Sequence, residues 1–323
     1  WKLARVALAL AASFYGVGPS QAQPAWPDKP LRLIVPYGPG SSPDVIARIL
    51  AERISPRLGQ PVVVVNRAGA GGNTGTGYVA KLAADGSTFV ISTNGPLVYN
   101  TVLYGKLGYD PFTELRPVIL AGGQANVCAV RGDSGIGNLA DLVETMKAQP
   151  GKFNFSSIGI GSLSHLGVEL LKFRTGTFAV HIPYASSPLA IQAIIQGDVQ
   201  FACVPAVAVM PQVRAGRIKA LAVTTGKRSE LMPDLPTMKE AGFPEIESIA
   251  WMALMAPAGT PDAVVQRLNR EINDALATPE VRQRMHSQFM EPIGGTPAEL
   301  KTFMEQELRV MRPVIERIGV KAD

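Results

Sequence analysis

The amino-acid sequence predicts an α/β fold with two doubly wound lobes that are joined by crossing strands. Strand and helix patterns alternate along most of the 323 residues, which is typical of sheets covered by helices. No polar or low-complexity linker separates two such units, so strand-like segments must connect them. In folds of this kind a ligand binds between the lobes, outside the carboxyl ends of the strands.

The first unit is predicted from apolar segments that alternate with a helical pattern. Apolar residues recur at helical spacing from Val45 to Leu58, and Gly59 ends this helix. Residues 61–66 are almost continuously apolar, which predicts a strand buried in a parallel sheet. A glycine-rich turn at 69–75 leads into a short helix. The strands of this unit are predicted at residues 31–37, 61–66 and 88–93.

The second unit repeats the alternation and is followed by a helical tail. Residues 116–135 contain two strand pieces and a loop, and Thr296 with Pro297 is expected to cap a long final helix. The other strands are predicted at 153–158, 178–184, 199–204, 219–225 and near 248–261. The other helices are predicted near 138–148, 163–174, 188–196, 205–215, 262–277 and 280–289.

The order of these elements divides the chain into two lobes. Lobe 1 is expected to contain residues 23–122 and 252–323, and lobe 2 residues 123–251. The hinge strands are expected near 118–128 and 248–256, where apolar segments lead from one unit into the other.

The N-terminal segment 1–22 has the pattern of a cleaved signal peptide. Lys2 and Arg5 form a basic start, residues 6–17 are apolar, and small residues precede a cleavage site after Ala22. An uncleaved membrane anchor is the alternative, although an apolar run of about 12 residues is short for a bilayer. We therefore expect an exported protein.

Charge and cysteine content exclude several classes of protein. The net charge of +5 falls to +3 without Lys2 and Arg5, and the remaining basic residues are scattered, so we expect no nucleic-acid partner. Cys128 and Cys203 lie in apolar strand patterns, where both a disulfide and two buried free thiols remain open. No cluster of cysteine and histidine has the spacing of metal ligands, so we expect no metal.

The loop after the first strand matches no catalytic motif. Ser42 has Gly40 before it but Asp44 after it, so the nucleophile motif Gly-x-Ser-x-Gly fails, and no lysine follows to complete a phosphate loop. The glycine-rich turn fails the dinucleotide fingerprint, because Thr74 stands where its third glycine is needed.

The same loop has the composition of a helix start. We predict that Ser42 caps the helix, with Pro43 at its first position and Asp44 in its first turn. The exposed N–H groups of such a turn can also bind an anion. From this loop alone, a simple helix cap and an anion site are equally compatible with the sequence.

Three further loops between a strand and a helix have a similar composition. They are rich in hydroxyl, amide and glycine residues, and they offer no activated nucleophile, no carboxylate pair and no metal set. His165 is either a ligand contact or a helix residue with a local hydrogen bond, and His181 is interpreted as structural. Together the four loops predict a non-catalytic site that holds a small polar solute through backbone and hydroxyl donors.

These residues resemble the Bug-type (TctC-like) receptors of tripartite tricarboxylate transporters. The resemblance begins at residues 26–76, which include "LRLIVPYGPGSSPDVIARIL", and continues through "SSIGIGSLSHL", "HIPYASSP" and "GRIKALAVTTGKRSELMPDLPTMKEAGFPE". It covers essentially the whole chain after the signal peptide. Its motifs are long and occur in the family's order.

The resemblance implies a type II periplasmic binding protein fold without a cofactor. The two lobes of such a receptor close on a small carboxylate and present it to the membrane permease subunits of the transporter, and we expect the receptor to be a monomer. The family's carboxylate contacts correspond here to Tyr37, Gly38, Gly40, Ser41, Ser42, Asp44, Thr93, Asn94, Ser157, Gly159, Gly161, Ser162, His165, Tyr184, Ser186 and Ser187.

The chain departs from the family pattern at three places. Pro43 removes a backbone donor, Ala185 stands where the family has a basic residue, and Gln200 stands where it often has an acid.

Two other functions share this architecture. One is a ligand sensor that docks on a signalling partner. The other is a secreted hydrolase, which would need Ser162 or Ser164 to pair with His165, although adjacent helical residues face each other poorly.

Overall fold

Two β-sheets organise this computed structural model, which describes residues 26–244 and 247–321. We call the part around the six-stranded sheet lobe 1. Its strands are β1 (Leu31–Val35), β2 (Val62–Asn66), β3 (Thr88–Thr93), β4 (Leu115–Gln124), β10 (Ala250–Pro257) and β11 (Glu291–Gly294). We call the part around the five-stranded sheet lobe 2. Its strands are β5 (Asn126–Arg131), β6 (Asn154–Ser157), β7 (Val180–Pro183), β8 (Phe201–Pro205) and β9 (Ile218–Val223).

Helices cover the faces of these sheets. They are α1 (Ser42–Leu58), α2 (Asn73–Ala80), α3 (Asn100–Leu103), α4 (Leu139–Ala148), α5 (Leu163–Thr175), α6 (Ser187–Gln196), α7 (Ala206–Arg214), α8 (Asp262–Ala277), α9 (Pro279–Ser287) and α10 (Pro297–Ile318). A 3-10 turn at Ala70–Gly72 and a π-helical turn at Gly95–Tyr99 complete the secondary structure. In the described ranges no helix is both long and apolar enough to cross a membrane.

The sheets have the strand orders β11-β4-β10-β3-β1-β2 and β7-β6-β8-β5-β9. In lobe 1, β1 is parallel to β2 and β3, and β10 lies antiparallel between β3 and β4. In lobe 2, β6 is parallel to β7 and β8, while β5 is antiparallel to β8 and β9. The predicted α/β fold is therefore confirmed.

The chain crosses between the sheets twice. The first crossing is short, because Ala125 alone separates β4 from β5. The second returns from β9 to β10, where Thr224 and Ser248 exchange hydrogen bonds beside the first crossing. The division into lobes at residues 23–122, 123–251 and 252–323 stays a proposal, and the predicted signal peptide lies outside the described residues.

Each sheet has its own apolar core. In lobe 1, Ile46, Leu50 and Ile54 of α1 are buried in one cluster with Leu268 and Ile272 of α8. In lobe 2 the largest buried side chains are Phe155 and Phe201 on neighbouring strands, with ring centroids 5.7 Å apart. The two cores keep each sheet rigid up to the loops at its strand ends.

The C-terminal helix begins as the sequence predicts. Thr296 and Glu299 form a capping box, in which each side chain accepts a hydrogen bond from the other residue's backbone N–H. Leu300, Met304 and Ile315 are buried, so α10 is attached to lobe 1 along most of its length.

The structure decides the question of the two cysteines. Cys128 on β5 lies directly opposite Cys203 on β8, and the two form a disulfide. Two strand patterns that are far apart in sequence become neighbours in the sheet, which neither pattern alone could predict. The bond joins the central strand β8 of lobe 2 to its neighbour β5.

Three local predictions were wrong. Strand β2 is an edge strand rather than a buried one, with 47% of Val63 and 38% of Val65 exposed. An apolar run does not reveal whether a second neighbour follows it in the sheet. The short edge strand β11 was missed because its sequence Glu-Pro-Ile-Gly favours a turn. The N-cap of α1 is Ser41 rather than Ser42, which is the first helical residue, and Pro43 occupies the second position.

The edge position of β2 gives a testable contrast in stability. Val63→Thr should change the free energy of unfolding by less than about 0.5 kcal/mol, because half of this side chain is already in water. Val90→Thr, the same substitution at a fully buried position of the central strand β3, should cost about 1–3 kcal/mol. Denaturant unfolding of both variants checks the contrast, and equal costs would contradict the edge assignment.

Candidate functional site

A small cavity of about 20 Å³ lies where the two lobes meet at the crossing strands. The four predicted loops each contribute to its wall, through Ser42, Pro43, Thr93, Asn94, Ile158, Leu163, Ser164 and Ser187. The rest of the wall comes from the crossings and the end of β8, through Gln124, Asn126, Pro205, Ala250, Trp251 and Met252. None of these side chains is charged. The fold therefore brings four loops that are distant in sequence to one neutral cavity.

Unpartnered polar atoms concentrate in this wall. Eleven buried side-chain nitrogen or oxygen atoms in the described residues lack a hydrogen-bond partner, and six of them belong to residues that line the cavity. They are Ser42 Oγ, Gln124 Nε2, Gln124 Oε1, Asn126 Oδ1, Ser187 Oγ and Trp251 Nε1. A buried polar group without a partner costs about 1–3 kcal/mol, so this concentration indicates a binding site.

Three helices begin at the cavity. Ser42 is the first residue of α1, Leu163 of α5 and Ser187 of α6, and all three line its wall. The N–H groups of a first helical turn have no partner within the helix, and the helix dipole makes this end positive. Three such ends around one cavity favour a negatively charged group there, without any lysine or arginine in the wall.

The two lobes present matching helix starts to the cavity. Each reads Ser-Ser-Pro, at 41–43 in lobe 1 and at 186–188 in lobe 2, with the first serine as N-cap and proline as the second helical residue. The middle serine is buried in both, and its hydroxyl has no partner. A solute between the lobes can therefore receive one hydroxyl donor from each side.

Asp44 holds the lobe 1 loop in shape. Its carboxylate is buried and accepts hydrogen bonds from Gly40 N, from Nε and Nη2 of Arg48, and from Asn66 Nδ2, at 2.8 to 3.0 Å. Burial alone raises the pKa of Asp44, but the hydrogen bonds from Arg48, Gly40 and Asn66 outweigh it and hold the pKa below its usual value. Both oxygens are already engaged, which favours the first-turn structural role.

Two hydrogen-bond chains position the other lobe 1 residues. Tyr37 Oη lies 2.8 Å from Thr93 Oγ1 and donates to Gly71 O, and burial raises the pKa of Tyr37. Asn94 Nδ2 donates to Tyr99 Oη at 3.1 Å and to Ile249 O at 3.2 Å.

Behind Asn94, the hydroxyl of Tyr99 donates in turn to the carboxylate of Glu307 on α10. This chain of bonds runs from the C-terminal helix to the cavity wall. It fixes the orientation of the Asn94 amide, because its nitrogen must face the carbonyl of Ile249.

Serine hydroxyls order the loop of lobe 2. Ser162 Oγ donates to Gly159 O at 2.6 Å and caps α5 by accepting from His165 N. Ser164 Oγ lies 2.9 Å from Ser162 Oγ and accepts from Ile158 N. These bonds place the α5 start against the cavity.

The buried His165 stacks on the half-buried His181 behind the same loop. The rings of His165 and His181 are 4.0 Å apart, His165 Nδ1 accepts from Gly161 N, and His181 Nε2 lies 2.5 Å from Ser157 Oγ. His165 therefore makes the local hydrogen bond that the sequence left open. The hydroxyls of Ser162 and Ser164 do not bond to the His165 ring, so the serine–histidine pair that the hydrolase alternative needed is not formed. In the described ranges no group of three histidine, cysteine or acidic residues could hold a metal.

The lobes approach each other most closely at glycines of lobe 1, which face backbone atoms of lobe 2. Gly38 N donates to Ala185 O at 3.1 Å across the cleft. A Cβ atom on Gly71 would lie 2.2 Å from Ile160 O, and one on Gly95 would lie 2.8 Å from Gly161 O. Glycine at these points allows the two backbones to approach until the cavity is closed.

A larger cleft of about 260 Å³ adjoins the cavity and shares Ile158 with it. Among the predicted site residues, Ser42, Thr93, Asn94 and Ser187 line the cavity, and Tyr37, Gly159 and Tyr184 line the cleft. The remaining predicted residues are Gly38, Gly40, Ser41, Asp44, Ser157, Gly161, Ser162, His165 and Ser186, which stand in the same loops but line neither space. For all sixteen predicted residues, a part in ligand binding stays a prediction.

Sequence reasoning missed the residues of the crossing strands. Gln124 and Asn126 are polar residues inside the apolar stretch 118–130, and that interruption was the available signal. Trp251 gave no such signal, because a tryptophan in an apolar strand is usual in a core.

Of the departures from the family pattern, Gln200 lies away from the site. Its Oε1 accepts a hydrogen bond from Asn154 N in lobe 2, and the residue lines neither the cavity nor the cleft.

Fold and site together define a two-lobed binding protein with a neutral cavity where the lobes meet. Comparisons with known proteins identify its family. The family model described as "Tripartite tricarboxylate transporter family receptor" matches residues 46–320. The chain is 36% identical to the protein BugT of Bordetella pertussis over 307 residues, which is 95% of this chain and 94% of BugT. The chain therefore belongs to the tripartite tricarboxylate transporter family of receptors, as the motifs predicted.

Solved structures agree with this assignment. The R. palustris protein Rpa4515 with adipate is 34% identical, with a TM-score of 0.88, over 91% of this chain and 98% of its own. The periplasmic binding protein BugD is 32% identical, with a TM-score of 0.88, over 92% of this chain and 100% of its own. The predicted periplasmic binding protein fold is confirmed, and so is the prediction of a solute-binding protein rather than an enzyme.

The stacked histidines give a pH-dependent stability. Burial, the neighbouring His181 and then Lys172 lower the pKa of His165 to about 3, and burial followed by Lys172 lowers that of His181 to about 4. Glu169 also faces the pair, 3.8 Å from His165 Nε2. Between about pH 6.5 and pH 4 the unfolded chain binds protons that the folded chain excludes. The free energy of unfolding should therefore decrease as the pH is lowered through this range. Each histidine contributes up to about 1.4 kcal/mol per pH unit to the decrease.

The variant His165→Asn separates this effect from the general acid sensitivity of proteins. The asparagine Oδ1 can accept the Gly161 N–H bond but does not titrate, so the slope of stability against pH should become shallower in this window. Denaturant unfolding at several pH values measures the slope. His286→Gln is the control, because His286 lies in α9, outside the pair. If His165→Asn has the same slope of stability against pH as the parent, the stacked histidines are not the cause of that slope.

Proposed function

We propose that the protein is a periplasmic receptor that captures a small carboxylate-bearing solute between its lobes and delivers it to the permease subunits of a tripartite tricarboxylate transporter. Export through a cleaved signal peptide at residues 1–22 belongs to the same proposal. The observation that carries it is the meeting of three helix N-termini at a cavity where the hydroxyls of Ser42 and Ser187 have no partner.

A carboxylate matches the polar groups of this wall because it only accepts hydrogen bonds. The cavity of about 20 Å³ has room for about one water molecule, so a solute reaches these groups with the lobes somewhat further apart than in this structure and extends into the cleft of about 260 Å³. Each carboxylate oxygen can take donors from Ser42 Oγ, Ser187 Oγ and the first-turn N–H groups of α1, α5 and α6. A helix end stabilises a nearby anion by about 0.3–1 kcal/mol when exposed and by up to about 2 kcal/mol when partly buried. Three ends and two hydroxyls can therefore replace the water that the carboxylate loses. The relative Rpa4515 binds adipate, which is a carboxylate of the expected kind.

Closure of the lobes is needed for this contact. Ser42 belongs to lobe 1 and Ser187 to lobe 2, so a solute meets both hydroxyls only when the lobes approach. The tight glycine contacts between the lobes permit that approach. A closed, loaded receptor would then present a surface to the permease that differs from the open form.

The serine hydroxyls provide the first test. Ser42→Ala and Ser187→Ala should each weaken binding of a carboxylate about tenfold or more, because a hydrogen bond to a charged group contributes about 1.5–3 kcal/mol. Their stability without solute should not fall and should rise by up to about 1–3 kcal/mol, since each variant removes a buried hydroxyl that has no partner. Thermal shift and calorimetry against C3 to C6 mono- and dicarboxylates, including adipate, measure both effects.

Ser248→Ala is the matched control, because Ser248 Oγ is also buried without a partner but lines neither space. The proposed function fails if no acid of the panel stabilises the parent protein. It also fails if Ser248→Ala weakens binding as much as the two cavity variants.

Lobe closure provides the second test. Gly71→Ala would place a Cβ 2.2 Å from Ile160 O, so this variant should stay open, with a larger radius of gyration in X-ray scattering and at least tenfold weaker binding. Gly59→Ala is the control, because both glycines have positive φ, 61° and 69°, but no atom lies within 4 Å of a Cβ on Gly59. If Gly71→Ala closes and binds like Gly59→Ala, closure does not depend on this contact.

A further inference from the structure

The amide groups of Gln124 and Asn126 on the crossing strands line the cavity, and binding of a carboxylate does not explain why they are there. The carboxylate is matched by hydroxyls and helix ends, which are donors. Gln124 and Asn126 stand on either side of Ala125 at the first crossing, and both are at most 3% exposed. Both atoms of the Gln124 amide and Oδ1 of Asn126 are buried without a partner. These groups therefore need a second polar group of the solute.

Asn94 shows which kind of group this is. Its Nδ2 uses its hydrogens for Tyr99 Oη and Ile249 O, so Oδ1 is the atom of this amide that remains for a solute. The amide cannot reverse, because its oxygen would then face the oxygen of Ile249. The cavity thus contains one acceptor of fixed orientation. An acid that carries only acceptor atoms leaves it unpaired.

The other groups of this wall supply both polarities. Each of the Gln124 and Asn126 amides can donate through its nitrogen and accept through its oxygen. Trp251 Nε1 can only donate, and the Trp251 ring is held edge-to-face against Phe303 at 5.3 Å. A second group that both donates and accepts would satisfy this set better than a second carboxylate.

We propose that the solute carries a neutral hydrogen-bond donor, a hydroxyl or a carboxamide, in addition to its carboxylate, and that Gln124, Asn126 and Asn94 select it. This inference rests on the proposed function, which places the carboxylate at the helix ends. An ammonium group fits less well, because no acidic residue lines the cavity to compensate a second buried charge. The solute class is therefore a short hydroxy acid or an acid that bears an amide.

Matched pairs of acids test the inference in the full protein. The pairs are succinate with malate, glutarate with 2-hydroxyglutarate, and adipate with its monoamide, each measured by calorimetry at one pH and salt concentration. In at least one pair the acid that carries the donor should bind at least tenfold more tightly, since a site built to hydrogen-bond a hydroxyl rejects the analogue without it.

Two variants identify the residues that make the selection. Gln124→Met keeps the length of the side chain and removes both amide atoms, so the ratio of affinities within that pair should fall below threefold. It should fold, because replacing an unpaired buried amide by an apolar group is close to neutral. Asn126→Leu is the second variant and should lower the same ratio. Thr260→Val is the control, since it removes a buried unpartnered hydroxyl outside the cavity and should leave the ratio unchanged.

The outcomes separate this inference from the proposed function. If carboxylates bind but the donor-free acid of every pair binds as tightly as its partner, the inference is wrong and the receptor function stands. It is also wrong if Gln124→Met and Asn126→Leu both leave the ratio unchanged. If no acid of either kind binds, the proposed function fails and the inference fails with it.

Discussion

The closest approach of the two lobes is limited by backbone atoms. Gly71 faces the carbonyl of Ile160, and Gly95 faces that of Gly161, with no space for even a methyl group at either point. Side chains there would hold the lobes apart, and the helix ends of α1 and α6 would then face water rather than each other. The position of the polar groups around the cavity therefore depends on glycine contacts that bind no solute themselves.

The cavity wall is ordered by buried polar groups that stand behind it. Asp44 ties the lobe 1 loop to Arg48 and Asn66, and Glu307 holds Asn94 through Tyr99. A cavity that uses neutral donors gains little from long-range charge, so the position of each donor must be fixed in advance. This explains why charged residues stand behind the wall while none lines it.

The sequence predicted the alternation of strands and helices because each element has a local pattern. It also predicted the four loops of the site, since a strand end followed by Ser, Gly and a helix start is a local feature. It could not predict the edge position of β2 or the pairing of Cys128 with Cys203, because both depend on strand order. Gln124 and Trp251 were missed for a related reason. They look like strand residues, and only the crossing of two strands exposes them to the cavity.

The prolines at the helix starts explain why the hydroxyls matter in this chain. Pro43 and Pro188 are the second residues of α1 and α6, so each helix end lacks one of the N–H groups that would otherwise face the cavity. The preceding serine supplies a hydroxyl at each end in compensation, and both hydroxyls are buried and unpartnered. Backbone donors bind any acceptor of suitable size, whereas a hydroxyl on a fixed helix start is a directed donor. The paired Ser-Ser-Pro starts thus replace a backbone donor with a side-chain donor at the end of each helix, one in each lobe.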